Sequence, residues 1–67
     1  MTYPTIKVTL LDGSIREFNS YDDYDRVRNT LTLHSHNDKP AYIDYNNDGS
    51  IWYQAWYLNG KYYSEKD

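Results

Sequence analysis

Apolar and polar side chains alternate from Ile6 to Leu10, which is the period of a half-buried β-strand. Asp12-Gly13 follows directly, and an Asp-Gly pair favours a tight hairpin turn because glycine supplies the positive φ that the turn needs. Ile15–Phe18 then resumes a strand-like pattern. These features predict an N-terminal β-hairpin over residues 5–18.

A short helix is predicted over residues 20–31. Ser20 is a favourable N-cap, and Asp23 stands three residues later, where it can complete a structure resembling a capping box. A narrow apolar stripe recurs at helical spacing, and it consists of Tyr21, Tyr24, Val27 or Arg28, and Leu31. The helix is therefore expected to pack one side against the sheet.

The second half of the chain carries the strongest β-strand pattern. The aromatic and β-branched runs 41–45 and 51–57 flank a turn over residues 46–50, and Asn59-Gly60 marks a second turn into 61–64. We predict a three-stranded meander over residues 40–64. The whole chain, residues 1–67, is then one α+β domain: a five-stranded antiparallel sheet of order β-β-α-β-β-β, with one short helix on one face.

The tetrapeptide Asp-Gly-Ser-Ile occurs twice, at residues 12–15 and at residues 48–51. Each copy stands at the turn of a predicted hairpin. Hairpin chemistry selects Asp-Gly repeatedly, so a common demand of the turn is the favoured interpretation. An ancient duplication is the alternative.

Small size limits the core, since a chain of 67 residues hides only roughly 60% of its unfolded surface on folding. There is no cysteine to form disulfides or thiolate sites, which is typical of a reducing compartment. Mean hydropathy is −1.00, but aromatic residues make up 18% of the chain, and disordered chains are poor in them. We therefore expect a folded domain whose aromatic rings compensate for the small core.

A net charge of −3 and a pI near 5.1 give no general attraction for nucleic acids or anionic membranes. A basic partner suits this charge better. The longest apolar runs span only a few positions, so neither a signal peptide nor a transmembrane span is predicted, and we expect a cytoplasmic location.

From about His34 onward the chain resembles tandem repeats, loosely grouped with MORN-type repeats, of small phage and bacterial proteins. The residues His34–Ala41 resemble the family's H-R-x-x-D-x-P-A opening, with Ser35 in place of the usual Arg. Further matches are Ile43, Tyr45, Asp48-Gly49, Trp56 and the phrase Tyr57-Leu58-Asn59-Gly60-Lys61. The resemblance covers the last half of the chain. It implies a β-hairpin scaffold without a common chemistry, and it favours a phage protein that inhibits a host protein.

Catalytic and metal sites find little support in the sequence. His34, His36 and Asp38 share one parity, but a polar loop would give a metal no enclosure, so no metal or other cofactor is expected. The carboxylates have no cleft to shift their pKa values in so small a domain, and the serines stand mostly at turns or caps. We expect no enzymatic activity and no catalytic residue.

Aromatic residues on the strand 51–57 form two rows, one on each face. Trp52 and Trp56 share a parity with Gln54, whereas Tyr53 and Tyr57 alternate with them. A single helix can cover only one face, so one row should stay open to solvent, although parity leaves open which row. Rings of this kind also stabilise thin sheets without binding anything. The expected partner surface comprises Trp52, Gln54, Trp56, Tyr42, Tyr62 and Asp44.

As function we predict a non-catalytic module that binds and inhibits a host protein, in the host cytoplasm, through a Tyr/Trp-rich sheet and an acidic margin. Exposed tyrosine and tryptophan rings are typical of interface hot spots. The alternative is a single-stranded nucleic-acid-binding protein, which the scattered basic residues disfavour. A sugar ligand and a homodimer formed through the sheet edges are further alternatives.

Overall fold

The computed structural model describes residues 4–66 and contains five strands and one α-helix. Residues 1–3 and 67 of the predicted domain lie outside the described residues. The elements are β1 (Ile6–Thr9), β2 (Ile15–Phe18), α1 (Tyr21–Val27) with a 3₁₀ turn (Arg28–Thr30), β3 (Tyr42–Tyr45), β4 (Ile51–Leu58) and β5 (Lys61–Lys66).

The five strands form one antiparallel sheet of order β2-β1-β3-β4-β5, which confirms the predicted α+β fold. The two hairpin units join in the middle of the sheet, where β1 pairs with β3 and Val8 lies opposite Tyr42. β2 and β5 are the two edge strands. The first unit extends over residues 6–18 and the second over residues 42–66, so the meander begins and ends two residues later than predicted.

The repeated tetrad forms the same turn in both hairpins. Asp12 Oδ1 accepts hydrogen bonds from the backbone N–H and the hydroxyl of Ser14, at 2.9 and 2.6 Å. Asp48 Oδ1 accepts the same two bonds from Ser50, at 2.8 and 2.6 Å. The intervening glycines have φ values of +89° and +90°, which only glycine adopts without strain. The geometry of the turn thus accounts for the repeated residues.

The helix begins as expected but is shorter than predicted. The Ser20 hydroxyl accepts the N–H of Asp23 at 3.2 Å, which caps the first turn. The α-helix ends at Val27 and tightens into a 3₁₀ turn, and the Thr30 hydroxyl donates to the carbonyl of Val27 at 2.7 Å. Leu31 already has extended backbone, so the helical segment ends at Thr30, one residue before the predicted end, and only its part up to Val27 is α-helix.

The segment between helix and meander is fixed to the sheet by backbone hydrogen bonds. Leu33 forms an isolated bridge with Leu10 of the first hairpin and accepts the N–H of Gly60 at 2.8 Å. The N–H of Ser35 donates to the carbonyl of Tyr57 at 2.7 Å. The segment 33–41 therefore lies between the first hairpin and β4 and is hydrogen-bonded to both.

The core lies between the helix and the centre of the sheet. Tyr24 of α1 packs edge-to-face on Phe18 and on Tyr42, with ring centroids 5.6 and 5.3 Å apart. The buried residues are Ile6, Val8, Tyr24, Leu33, Ala41, Tyr42 and Ala55. No helix within residues 4–66 has the length and apolar character needed to cross a membrane.

Candidate functional site

The register of the sheet determines which residues lie on the same side as the helix. Residues directly opposite one another on antiparallel strands share a side. Tyr42 lies opposite Val8 and Ala55, which are both buried. Asp44 lies opposite the buried Ile6 and the half-buried Tyr53. The helix side of the second unit therefore carries Tyr42, Asp44, Tyr53, Ala55 and Tyr57.

A β-bulge in β4 breaks the predicted alternation at Trp52. Pairing passes from Asp44 opposite Tyr53 to Tyr45 opposite Ile51, so Trp52 is the extra residue on its strand. Its ring centroid lies 6.2 Å from that of Tyr53, whereas side chains adjacent in a regular strand point to opposite faces. The prediction that Trp52, Gln54 and Trp56 share one face is therefore wrong, because Trp52 groups with Tyr53.

Besides Phe18, seven aromatic side chains gather on the helix side, and we call these seven the aromatic array. Ring centroids of Tyr21 and Tyr24 are 5.9 Å apart, those of Tyr42 and Tyr53 are 6.0 Å apart, and Tyr24 joins the two pairs through Tyr42. Tyr57 contacts the ring of Tyr62, on β5, at 6.0 Å. The members of the array are Tyr21, Tyr24, Tyr42, Trp52, Tyr53, Tyr57 and Tyr62.

Exposure differs widely across the array, and Tyr21 of the helix keeps 49% of its full exposure. Tyr24 and Tyr42 are buried, at 6% and 8% of their full exposure. Trp52 and Tyr62 retain 61% and 52%. The helical segment, which ends at Thr30, covers the rings nearest the centre, leaves Tyr53 and Tyr57 half-buried and leaves Trp52 and Tyr62 accessible.

A cleft of about 250 Å³ opens where the helix meets the sheet, lined by Tyr21, Tyr24, Arg28, Tyr42, Tyr53 and Tyr57. Nη1 of Arg28 donates to the Tyr21 hydroxyl at 3.2 Å and to Asp25 Oδ1 at 3.4 Å, so the guanidinium is held at the rim by its own helix. Burial raises the pKa values of Tyr24 and Tyr42 above the ordinary value of a tyrosine.

Two carboxylates border the accessible part of the array. Asp44 is half-buried, and burial raises the pKa of its carboxyl group. Glu65 of β5 lies opposite Ala55, on the same side of the sheet as Tyr53 and Tyr62. Burial, and then the hydrogen bond and charge of Glu65, raise the pKa of Tyr53. The accessible rings therefore have an acidic border.

The opposite, helix-free side of the sheet holds the other two predicted partner residues, Gln54 and Trp56, both half-buried. The indole N–H of Trp56 donates to the carbonyl of Asp38 at 2.9 Å, so this ring fastens the segment 33–41 to the sheet. Tyr45 and Ile51 pair on the same side.

The six predicted partner residues thus divide between two surfaces. Trp52, Asp44 and Tyr62 lie on the helix side of the sheet, whereas Gln54 and Trp56 lie on the opposite, helix-free side. Tyr42 belongs to the core and offers a partner almost no surface, because it packs under Tyr24 in the centre of the sheet.

The two histidines have structural contacts. Nδ1 of His34 accepts the N–H of Asn59 at 3.0 Å, and Nε2 of His36 donates to the carbonyl of Leu10 at 2.9 Å. Among the residues that the structure describes, no three His, Cys, Asp or Glu side chains converge on a point where they could hold a metal ion.

Sequence reasoning omitted four members of this region from the partner surface: Tyr21, Tyr53, Tyr57 and Glu65. Tyr53 and Tyr57 share the parity of Ala55, a small residue at the centre of β4 that marks the close-packed face. Tyr21 lies on the helix and Glu65 on β5, so this parity does not indicate them. Comparisons with known protein families, with curated proteins and with solved structures find no match to this chain.

Proposed function

We propose that this protein is a non-catalytic module that docks a protein partner through the accessible half of the aromatic array. The observation that carries the proposal is the exposure of Trp52 and Tyr62, at 61% and 52%, on the side of the sheet that the helix only partly covers. Rigid amphipathic rings give a large contact area at a low entropic cost, and they are enriched at interface hot spots.

The charge of the site favours a basic protein surface as the partner. Asp44 and Glu65 border the accessible rings, and the whole chain carries a net charge of −3. Nucleic-acid phosphates would meet repulsion here, since affinity for them depends on basic side chains. The single-stranded nucleic-acid alternative predicts oligonucleotide binding at low salt that weakens steeply as salt rises, and we expect no such binding.

The resemblance of the second half to repeats of small phage and bacterial proteins supports a host protein as the partner. Under this proposal the module occupies a functional surface of that host protein in the host cytoplasm and inhibits it. The hairpin scaffold implied by the resemblance would serve to present the aromatic rings.

Two adjacent residues of β4 provide a matched test. Trp52 is exposed on the helix side, and Ile51, 48% exposed, pairs with Tyr45 on the helix-free side. Immobilised wild-type protein, Trp52→Ala and Ile51→Ala are each incubated with lysate of a bacterial host, after circular dichroism has shown that both variants fold. We expect proteins captured by the wild type to be retained by Ile51→Ala and lost with Trp52→Ala.

Equal capture by all three proteins would contradict the proposal, since the array would then not be the contact. Sedimentation of the protein alone is the second control. If the chain forms a dimer that Trp52→Ala dissociates, the array is occupied by a second copy and the proposed host partner is wrong.

A further inference from the structure

Asp44 is a half-buried carboxylate in the middle of the sheet. It lies on β3, flanked across the strands by the fully buried Ile6 and by Tyr53. Among the side chains of residues 4–65, which the structure describes, the ion pairs lie on the helical segment, between Arg26 and Asp23 and between Arg28 and Asp25. Asp44 takes part in neither, so none of these described side chains forms an ion pair with the charge that its burial disfavours.

An exposed indole stands next to this carboxylate. The bulge places Trp52 and Tyr53 together opposite Asp44, and Trp52 keeps 61% of its surface open. Tyr53 lies directly opposite Asp44, where Cβ atoms are about 4.5–5.5 Å apart, and the Trp52 ring centroid is 6.2 Å from that of Tyr53. The carboxylate and the indole therefore border one patch, which the side chain of a ligand can span. Glu65 adds a second negative charge on the side of Tyr53 and Tyr62.

We propose that Asp44 and Trp52 form a binding site for an arginine side chain of a protein partner, with the guanidinium stacked on the indole and paired with the carboxylate. The inference rests on the proposed function and names the chemistry that the array recognises. Arginine fits better than lysine, because its planar fork pairs with a carboxylate through two parallel hydrogen bonds and its flat face stacks on an aromatic ring.

The position of the site also explains why a cation is needed from outside. Arg28, which lines the cleft, is engaged by Tyr21 and Asp25. Arg16 lies opposite Val8, which separates it from β3 by the width of β1. A partner's arginine would supply the charge that this surface lacks, and it would contact Asp44 at low desolvation cost because the carboxylate is already partly removed from water.

Titration with blocked amino acids, followed by NMR, tests the inference without any knowledge of the partner. The probes are the N-acetyl amides of arginine, of lysine and of citrulline, the last being the neutral counterpart of arginine. We expect chemical-shift changes at Asp44 and at the Trp52 indole to saturate with the arginine probe, to be weaker with lysine and to be absent with citrulline.

Matched variants locate the binding. Asp44→Asn should weaken the arginine probe at least about tenfold, since hydrogen bonds to charged groups are worth about 1.5–3 kcal/mol. Glu17→Gln, a strand carboxylate that lies opposite Lys7 on the helix-free side, should leave the affinity unchanged. Trp52→Ala should weaken binding and Ile51→Ala should not.

Saturation by citrulline to the same extent, or binding that Asp44→Asn leaves intact, would overturn the inference. Absence of any saturable arginine binding would overturn it as well. Each of these results would leave the proposed docking function standing if the capture experiment distinguishes Trp52→Ala from Ile51→Ala. Conversely, arginine binding with no loss of captured protein in Trp52→Ala would support the site and contradict the docking function.

Discussion

Alanine substitutions of Tyr42 and Tyr62 separate rings that hold the fold from rings that face a partner. Both tyrosines belong to the aromatic array, and they are chemically identical, but Tyr42 retains 8% of its exposure and Tyr62 retains 52%. Any difference between the two variants therefore reports how deeply each ring is buried.

The expected magnitudes follow from these exposures. A tyrosine ring buries about 200 Å² when it is fully enclosed, and each Å² is worth about 25 cal/mol, so loss of the Tyr42 ring should cost about 4–5 kcal/mol. The half-exposed Tyr62 ring hides about half as much area, so its loss should cost correspondingly less, and less still where the unfolded chain already hides part of it. A domain of this size has a total free energy of unfolding of about 3–10 kcal/mol.

Urea denaturation followed by far-UV circular dichroism measures both costs. Tyr62→Ala should give a cooperative transition with a modestly lower midpoint and an unchanged slope. Tyr42→Ala should lose most of its stability or fail to fold. If Tyr62→Ala were as destabilised as Tyr42→Ala, the Tyr62 ring would be part of the core and the array would be a structural feature without a docking role.

Three further predictions concern the turns that position the meander. Hydrogen bonds from the hydroxyl and the backbone N–H of Ser50 lower the pKa of Asp48. This carboxylate therefore contributes stability that is present above its unfolded pKa of about 3.9 and is lost as pH falls through the lower folded pKa. Ser50→Ala should return the pKa of Asp48, measured by NMR, towards its ordinary value, and an unchanged pKa would contradict this. Gly60→Ala should destabilise the fold by about 1 kcal/mol, because an alanine is strained at the φ of +85° that Gly60 adopts. The added Cβ causes no clash, since it would lie at an ordinary 3.5 Å from Thr32. An unchanged free energy of unfolding in urea denaturation would refute this. His34→Phe removes the acceptor of the Asn59 N–H and should speed amide hydrogen exchange at Asn59, so an unchanged exchange rate would show that this bond is unimportant.

The fold was predictable because its signals are local. Asp-Gly and Asn-Gly turns between alternating runs define each hairpin, and at Asn59-Gly60 both residues adopt the positive φ, +51° and +85°, that such a turn requires. The Ser20 cap fixes the start of the helix through a side chain only three residues from its partner. Each of these features depends on a few neighbouring residues.

The composition of the site was less predictable because it depends on pairing between distant strands. Parity alone places Trp52 with Trp56, and only the slip between Asp44 and Tyr45 on the neighbouring strand moves it to the other side. The burial of Tyr42 likewise follows from its position opposite Val8, more than thirty residues earlier in the chain.

Accessibility of the individual rings to a soluble paramagnetic probe tests most directly whether the helix side of this sheet is a surface for docking. With assigned NMR signals, the probe should strongly attenuate the ring resonances of Trp52 and Tyr62, while those of Tyr24 and Tyr42 should persist. Equal protection of all four rings would mean that the array is covered in solution, and the proposed contact with a partner would then have no surface on which to form.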